Sequence, residues 1–214
     1  MIWNAIFDLD GTLLDTREGI IESVKFAISE LEYDKLSYKE LLTFVGPPIQ
    51  QSFINHYGCS KETAQKAADI FREYYKTTAL LKAKPYDGIY VLCELLKKHN
   101  IRMAVATYKR EDYALQLLNH FRFNEFCNPM CGGDNTNQLK KEDIVRRCQK
   151  EMMASPDECV LIGDTLNDAL GAMRAETPFI AVTYGFGFQN PDEISAYPNI
   201  GIARNPIEIA NFIL

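Results

Sequence analysis

The spacing of apolar residues divides the chain into three segments. Residues 1–8, MIWNAIFD, form a short apolar run that ends in an acid, and this pattern predicts a buried strand. Between residues 16 and 31 the apolar positions recur at spacings of three and four, which predicts an amphipathic helix. Helical patterning continues to about residue 79, and no strand pattern interrupts residues 16–82.

After Pro85 the chain alternates between short apolar runs and amphipathic segments. Strands that alternate with helices of this length predict a parallel sheet covered by helices on both faces, and continuous apolar strands fit such a sheet. The predicted strands are 101–107, 126–133 (a weak strand or a loop), 158–164, 178–185 and 199–203, and the predicted helices are 87–100, 110–121, 140–152, 167–176, 192–196 and 206–214.

These patterns together predict a doubly wound α/β core that is interrupted by a helical insertion. The core comprises residues 1–15 and 83–214, and the inserted helical cap domain comprises residues 16–82. Serine residues at positions 37 and 60 are predicted to cap two of the inserted helices. In open α/β sheets, ligands bind at the carboxyl ends of the strands, so polar residues at those ends are the candidates for function.

The amino-acid composition and net charge argue against some classes of protein. With 47% hydrophobic and 24% charged residues among 214, the chain is typical of a soluble globular protein. A net charge of −6 argues against a nucleic-acid partner, because such a groove needs a basic stripe. No apolar run approaches the roughly 20 residues that span a bilayer, and the N-terminus lacks the basic segment of a signal peptide. We therefore expect no nucleic acid and no membrane among its partners.

The six cysteines are scattered without a CxxC pair. We expect them to be reduced, largely buried thiols of a cytoplasmic protein. Cys127 and Cys131 have a C-x3-C spacing that hints at a metal site. No second Cys or His pair lies near them in sequence, so a zinc site is not favoured.

Acidic and basic residues gather at the predicted strand ends and helix starts. Four carboxylates at one sheet edge would raise one another's pKa unless a cation lay among them. Ligands that are all oxygen atoms favour Mg²⁺ over zinc. Each motif alone is common as a turn or a helix cap, but together they supply the groups that a phosphoryl-transfer site requires. The residues are Asp8, Asp10, Thr107, Lys140, Lys141, Asp164 and Asp168.

The segments that carry these residues resemble the motifs of the haloacid dehalogenase-like hydrolase superfamily. The resemblance is to its phosphoglycolate phosphatase-type members, which have a Rossmann-like core and a small helical cap, and it covers essentially the whole chain. FDLDGTLLDT matches the motif hydrophobic-D-x-D-G-T, and VATYK matches a strand that ends in threonine. LKKEDIV supplies the lone lysine of the third motif, and LIGDTLNDALGA matches G-D-x-x-x-D.

The resemblance implies a role for each matched residue. Asp8 would be the nucleophile that becomes an aspartyl-phosphate, and Asp10 would be the general acid and then the general base. Mg²⁺ would be held by Asp8, by the backbone carbonyl of Asp10 and by Asp164, with Asp168 bracing its water ligands. Thr107 and the lysine would hold the phosphate oxygens.

Neighbouring residues complete the expected site. Gly11 lets the chain turn sharply behind the nucleophile, and Thr12 is expected to orient the general acid by a hydrogen bond. In the family that the chain resembles, this lysine is usually followed by one spacer, an acid and two aliphatic residues, and KEDIV matches that pattern from Lys141, so the resemblance favours Lys141 over Lys140 as the phosphate-binding lysine. Tyr108 occupies the position in the phosphate-binding loop where the second motif often has asparagine.

The predicted function is Mg²⁺-dependent hydrolysis of a small phosphate monoester, such as a phosphoglycolate-like compound, a sugar phosphate or a nucleotide. Asp10 argues against the dehalogenase branch, because a departing halide needs no proton. A phosphomutase or a pyrophosphatase of the same superfamily remains an alternative. From a different class, a phospho-accepting signalling or binding domain is the alternative, although D-x-D-G-T and the helical insertion argue against it.

The inserted helices contain a rigid break, GPPIQ. We expect the residues of this break to contact the leaving group of the substrate, and a simple turn between helices is the competing interpretation. The residues are Gly46, Pro47, Pro48 and Ile49. The expected partner is a small phosphorylated metabolite, and either a monomer or a homodimer is compatible with the sequence.

Overall fold

The computed structural model describes residues 2–134 and 138–214. The chain divides into two compact units. The core unit comprises residues 1–15 and 85–214, and the helical unit comprises residues 16–84. Each unit is described in turn below.

The helical unit is built from α-helices that start where the sequence supplies caps. The Ser37 hydroxyl accepts a hydrogen bond from the backbone N–H of Glu40 at 3.4 Å, and the Ser60 hydroxyl accepts one from Thr63 at 3.1 Å, so both predicted caps are formed. A π-helical turn, Tyr75–Ala79, continues the last helix. The helices are α1 (Arg17–Glu30), α2 (Tyr38–Leu42), α3 (Ile49–Tyr57) and α4 (Lys61–Tyr74).

The core unit contains the predicted parallel sheet, now confirmed as six strands in the order β5-β4-β1-β6-β7-β8. All neighbouring strands run parallel. The strands are β1 (Asn4–Phe7), β4 (Arg102–Arg110), β5 (Cys127–Gly133), β6 (Cys159–Gly163), β7 (Phe179–Val182) and β8 (Gly201–Ala203), and β2 (Leu14–Asp15) and β3 (Lys84–Pro85) form a separate two-stranded sheet. The helices of the core unit are α5 (Ile89–Lys98), α6 (Glu111–His120), α7 (Lys141–Met152), α8 (Leu166–Arg174), α9 (Pro191–Ile194) and α10 (Ala210–Ile213).

The strand order reverses beside β1. From β1 the sheet extends through β4 to β5 on one side, and the chain then returns to place β6, β7 and β8 on the other side. A doubly wound sheet binds its ligands in the crevice outside the carboxyl ends of the strands at such a reversal. The residues that follow β1, β4 and β6 are therefore the residues best placed to bind a ligand.

Several elements differ from the sequence-based prediction. Strand β4 continues three residues beyond Thr107, to Arg110. Residues 127–133, predicted as a weak strand or a loop, form the edge strand β5, where Pro129 is tolerated because an edge strand leaves some N–H groups unpaired. The predicted helix 206–214 is a 3₁₀ turn followed by the short helix α10. Strands β2 and β3 were not predicted, since two residues are too few to form a pattern.

The central strands are apolar along their whole length, because both faces of the sheet are covered. Every residue of β1, β6 and β7 is buried. Fully burying a Val, Leu, Ile or Phe side chain stabilises the fold by about 1.5–3 kcal/mol relative to leaving it exposed. The strands that precede Asp8 and Asp164 are thus held in the buried middle of the sheet.

The structure also bears on the expectations about membrane-spanning segments and about the cysteines. Among the described helices, none has the length and apolar composition that a bilayer span requires. All six cysteines are free thiols; Cys59 is partly buried and the others are buried. Cys127 and Cys131 are not part of the only cluster of potential metal ligands found in residues 2–134 and 138–214.

Candidate active site

The carboxyl edge of the sheet brings the predicted residues together from separate elements. Asp8 directly follows β1, and Asp164 directly follows β6. Lys141 is the first residue of α7, and Asp168 lies in the first turn of α8. Oxygen atoms of Asp8, Asp164 and Asp168 lie within 4.8 Å of one another, and all three side chains are buried. This acidic cluster is the candidate active site.

Lys141 neutralises part of the acidic cluster. Its Nζ lies 2.5 Å from Oδ1 of Asp8 and 2.6 Å from Oδ1 of Asp168, and the residue is only 1% exposed. Burial opposes the charge of Lys141, but Asp168 and Asp8 outweigh burial and raise its pKa, so the side chain remains an ammonium. Lys140, the alternative in the sequence, is exposed, and its backbone N–H donates to Asp143 at 3.0 Å.

The single positive charge of Lys141 does not neutralise the carboxylates of the acidic cluster. Burial raises the pKa of Asp8 to about 7, Lys141 opposes this rise, and the neighbouring carboxylates of Asp168 and Asp10 add to it. A buried carboxylate whose pKa is raised in this way needs a further cation before it is fully ionised at neutral pH. The electrostatics of the site therefore call for a second cation.

The two carboxylate oxygens of Asp164 differ in their contacts, and the difference indicates where a cation would bind. Its Oδ2 accepts hydrogen bonds from the backbone N–H groups of Phe186 at 3.0 Å and Gly187 at 2.9 Å, in the loop after β7. Its Oδ1 is buried and has no hydrogen-bond partner within the described parts of the chain. Burial, together with Asp168 and Asp8, raises the pKa of Asp164 well above its ordinary value. Leaving a buried carboxylate oxygen unsatisfied costs free energy that a bound cation would offset.

Asp168 is oriented by its own helix. Oδ2 of Asp168 accepts hydrogen bonds from the backbone N–H of Thr165 at 3.0 Å and from its hydroxyl at 2.6 Å, while Oδ1 contacts Lys141. The Thr165 hydroxyl in turn accepts from the backbone N–H of Asp168 at 3.3 Å, which completes a capping box. The motif G-D-x-x-x-D therefore combines a helix cap with a fixed carboxylate.

Two glycines make room for these side chains. Gly11 has φ +85°, and a Cβ there would lie 2.2 Å from Oδ2 of Asp164. At Gly171, in α8, a Cβ would lie 2.5 Å from Cγ of Lys141. The lysine stem therefore passes directly over a helix position that only glycine allows.

Asp10 pairs with a residue that the sequence did not single out. Oδ1 of Asp10 forms an ion pair with Nζ of Lys109 at 2.9 Å. The expected hydrogen bond from Thr12 is absent: its hydroxyl is buried without a partner among the described residues, and its carbonyl accepts from the Tyr184 hydroxyl at 3.0 Å. The expectation that Thr12 orients Asp10 is therefore wrong.

The predicted phosphate-binding segment of β4 lies where the pairing with β5 is irregular. Thr107 is buried, and its hydroxyl accepts a hydrogen bond from the backbone N–H of Lys109 at 3.1 Å. The register between β4 and β5 shifts between Ala106 and Arg110. Within this stretch the Lys109 side chain is 9% exposed, whereas Tyr108 is 44% exposed. Identifying Lys109 from the sequence would have required the prediction that β4 continues beyond Thr107.

The predicted specificity loop lies in the helical unit. Gly46 has φ +104° with open space where a Cβ would stand, and Pro48 immediately precedes α3. Proline is well suited to this position, because its restricted φ prepares the chain for the helix and its missing N–H is not needed there. The loop is therefore a stiff connection between α2 and α3.

Comparison with known proteins identifies the class to which this fold and site belong. The family model described as haloacid dehalogenase-like hydrolase matches residues 5–182. A 5′-nucleotidase of Pseudomonas aeruginosa is 36% identical over 195 residues, which are 91% of this chain and 87% of the relative. A phosphoglycolate phosphatase of Agrobacterium fabrum is 30% identical over 190 residues, covering 85% of this chain and 81% of the relative.

A solved structure supports the same assignment. The crystal structure of a predicted phosphatase from Clostridium acetobutylicum has a TM-score of 0.86 and 34% identity, and the match covers 99% of this chain and 98% of that chain. The protein is thus a hydrolase of the phosphatase type. It belongs to the haloacid dehalogenase-like hydrolase family, as the resemblance of its motifs indicated.

Proposed function

We propose that this chain hydrolyses a small phosphate monoester with the help of Mg²⁺, through an aspartyl-phosphate formed on Asp8. The observation that carries the proposal is the buried cluster in which Lys141 contacts Asp8 while Oδ1 of Asp164 has no partner among the described residues. Such a cluster has a nucleophile, a fixed positive charge and a place for a cation.

The residues present fit Mg²⁺. The cluster offers only oxygen donors, and one of them is a buried carboxylate oxygen without a hydrogen bond. Asp8, Asp164 and the backbone carbonyl of Asp10 would hold the ion, and Asp168 would brace its water ligands. When bound, the ion supplies positive charge that reduces the repulsion between Asp8 and the phosphate and stabilises the transferring oxygens.

The first half-reaction transfers the phosphoryl group to the protein. A carboxylate oxygen of Asp8 bonds to phosphorus while the ester P–O bond breaks. Asp10 donates its proton to the departing alkoxide oxygen, which leaves as an alcohol. The Lys141 ammonium and the Thr107 hydroxyl hold the phosphate oxygens during the transfer.

The second half-reaction regenerates the enzyme. Asp10, now ionised, removes a proton from a water molecule, whose oxygen attacks phosphorus. The bond between Asp8 and phosphorus breaks, and inorganic phosphate is released. The same side chain thus serves as acid and then as base, and Asp8 and Asp10 have separate tasks.

The substrate class is proposed from the relatives and from the helical unit. Two relatives are named a 5′-nucleotidase and a phosphoglycolate phosphatase, so the expected substrate is a small phosphorylated metabolite.

We assign the helical unit the role of a cap, with the leaving group contacted by the loop of Gly46, Pro47, Pro48 and Ile49. Replacing this loop with that of a relative should change the ranking of substrates and leave the Mg²⁺ requirement unchanged; an unchanged ranking would contradict the assignment.

The test of the proposed function is phosphate release from a panel of small phosphate esters, sugar phosphates, nucleoside monophosphates and pyrophosphate. Wild type and Asp8→Asn are compared with Mg²⁺ and with chelator. We expect release that needs Mg²⁺ and is lost in Asp8→Asn. Release from pyrophosphate alone, or interconversion of sugar phosphate isomers without release, would replace the proposal with a pyrophosphatase or a phosphomutase. Stable phosphorylation of Asp8 without turnover would indicate a phospho-accepting domain.

A further inference from the structure

Lys109 is a second lysine in the core unit whose ammonium has a carboxylate as its partner. Its Nζ lies 2.9 Å from Oδ1 of Asp10, and its side chain is only 9% exposed. Holding a lysine side chain in one conformation costs up to about 2 kcal/mol of conformational entropy, and burying its charge costs more. Because placing the Lys109 ammonium in this environment costs free energy, we expect Lys109 to have a function.

Lys109 and Thr107 belong to the same strand. Strand β4 continues to Arg110, and its pairing with β5 shifts register between Ala106 and Arg110. The backbone N–H of Lys109 donates to the Thr107 hydroxyl at 3.1 Å. The segment that presents the Thr107 hydroxyl therefore also determines where the Lys109 ammonium lies.

The two lysines contact different carboxylates. Lys141 pairs with Asp8 and Asp168, whereas Lys109 pairs with Asp10. Thr12, the residue expected to orient Asp10, has a hydroxyl without a partner in the described structure. The contacts to the proposed nucleophile and those to the proposed acid and base thus come from separate side chains.

We propose that Lys109 is a positioning residue for Asp10. The charge-assisted hydrogen bond from its ammonium to Oδ1 holds the Asp10 carboxyl in one orientation, which positions this acid and base relative to the leaving-group oxygen and later to the attacking water. This inference rests on the proposed function, because it assigns a partner to the acid and base of that reaction. It does not assign Lys109 to the phosphate.

If Lys109 positions Asp10, replacing Lys109 should slow only those half-reactions in which Asp10 transfers a proton. p-Nitrophenolate leaves without being protonated, so the first half-reaction with p-nitrophenyl phosphate does not depend on the position of Asp10. Hydrolysis of the aspartyl-phosphate requires Asp10 as a base for every substrate. Loss of Lys109 should therefore slow the second half-reaction with p-nitrophenyl phosphate and both half-reactions with an alkyl phosphate.

The experiment is rapid mixing of Lys109→Met with p-nitrophenyl phosphate and Mg²⁺. We expect a burst of close to one p-nitrophenol per enzyme with a rate constant near that of the first step in wild type, followed by turnover slowed about 100-fold. Lys109→Arg, which retains the charge, should recover turnover to within about tenfold of wild type. Lys150→Met, an exposed lysine on α7, is the charge-matched control and should behave as wild type.

A double-mutant cycle with Asp10→Asn distinguishes positioning from direct binding of phosphate. If Lys109 acts through Asp10, adding Lys109→Met to Asp10→Asn should slow turnover less than about threefold. A full further loss, or a burst slowed as much as turnover, would overturn the inference and assign Lys109 to the phosphate. Lys109→Gln serves in both experiments if Lys109→Met fails to fold.

The outcomes also separate this inference from the function on which it rests. A folded wild-type protein that releases no phosphate from any ester would overturn both. An active wild type with a Lys109→Met variant of unchanged turnover would overturn the inference alone and leave the proposed function in place.

Discussion

The ammonium of Lys141 lies 2.5 Å from Oδ1 of Asp8, and the same nitrogen lies 2.6 Å from Oδ1 of Asp168. A single buried cation thus bridges the carboxylate after β1 and the carboxylate in the first turn of α8. The neighbouring Lys140 is exposed and makes no such bridge in the described structure. The difference between two adjacent lysines gives the first prediction.

Replacing Lys141 with Met should lower kcat by about 100- to 1,000-fold, because the transferring phosphate loses a fixed positive charge next to Asp8. Lys140→Met removes the same charge from an exposed position and should change kcat less than about twofold. Phosphate release with saturating Mg²⁺ measures both variants. A large loss in Lys140→Met with normal activity in Lys141→Met would contradict the assignment.

The second prediction concerns Mg²⁺ binding in the absence of substrate. Mg²⁺ should raise the Tm of the wild-type protein, since an ion that binds only the folded state stabilises it by about 2.7 kcal/mol at 100 times its Kd. In Asp164→Asn the rise should disappear, because one oxygen of the buried, unsatisfied carboxylate becomes a nitrogen that cannot bind a metal. Thermal unfolding with and without Mg²⁺ measures the effect.

The exposed Asp157 provides the control for this experiment. Asp157→Asn removes the same charge from the surface, so it should keep the full response to Mg²⁺. If Asp164→Asn responds to Mg²⁺ as the control does, Asp164 does not hold the ion.

The third prediction tests the close passage of Lys141 over α8. In Gly171→Ala the added methyl group would lie 2.5 Å from Cγ of Lys141, so the lysine must move away from Asp8. Overpacking of this kind costs about 1–3 kcal/mol. We expect lower stability in urea unfolding together with a lower kcat. Met173→Ala, at an exposed position of the same helix, should change neither; a Gly171→Ala variant as active and stable as this control would refute the packing argument.

The fourth prediction is a pH dependence of stability that originates away from the active site. Glu111 pairs with Arg147 at 2.6 Å and accepts a hydrogen bond from the backbone N–H of Gly132 at 3.0 Å. Burial works to raise the pKa of Glu111, but the Arg147 and Gly132 donors outweigh it and hold the pKa below its ordinary value of 4.5. The unfolded state therefore takes up the proton first as the pH falls.

The stabilisation by Glu111 is consequently complete above pH 4.5 and is lost as the pH falls through the lowered pKa. Glu111→Gln should reduce the free energy of unfolding at pH 7 by at most about 1 kcal/mol, because both side chains are partly exposed. Urea unfolding at pH 7 and at a series of pH values below 4.5 should show the difference from wild type shrinking. Glu94→Gln, at an exposed position of α5, is the control; a difference that grows toward acid pH would contradict the sign.

The sequence predicts the sheet and much of the candidate site for a physical reason. Asp8 and Asp164 follow continuous apolar runs, and in a parallel sheet the carboxyl ends of such strands meet at one edge. Their proximity therefore follows from topology alone. The choice of Lys141 over Lys140 rested on the resemblance of KEDIV to the family motif, and the structure places Lys141, not Lys140, against Asp8.

What could not be predicted depended on side-chain conformation and on exact strand length. The hydroxyl of Thr12 could have reached several acceptors, and only the rotamer in the folded protein leaves it without a partner. Lys109 was missed because β4 was predicted to end at Thr107, which would have placed Lys109 in a loop. Because the end of this strand was predicted three residues too early, a partly buried ion pair was not anticipated.

The backbone N–H of Asp8 donates to the carbonyl of Ile162 at 2.8 Å, in the middle of the sheet. This amide should exchange with solvent only when the whole core unit unfolds, at a rate comparable with those of the slowest amides. The proposed nucleophile is therefore attached to a buried, hydrogen-bonded stretch of backbone in the middle of the sheet. Over evolutionary time, loops and helices can change without displacing it, so one unchanged reactive carboxylate can serve a changing set of substrates.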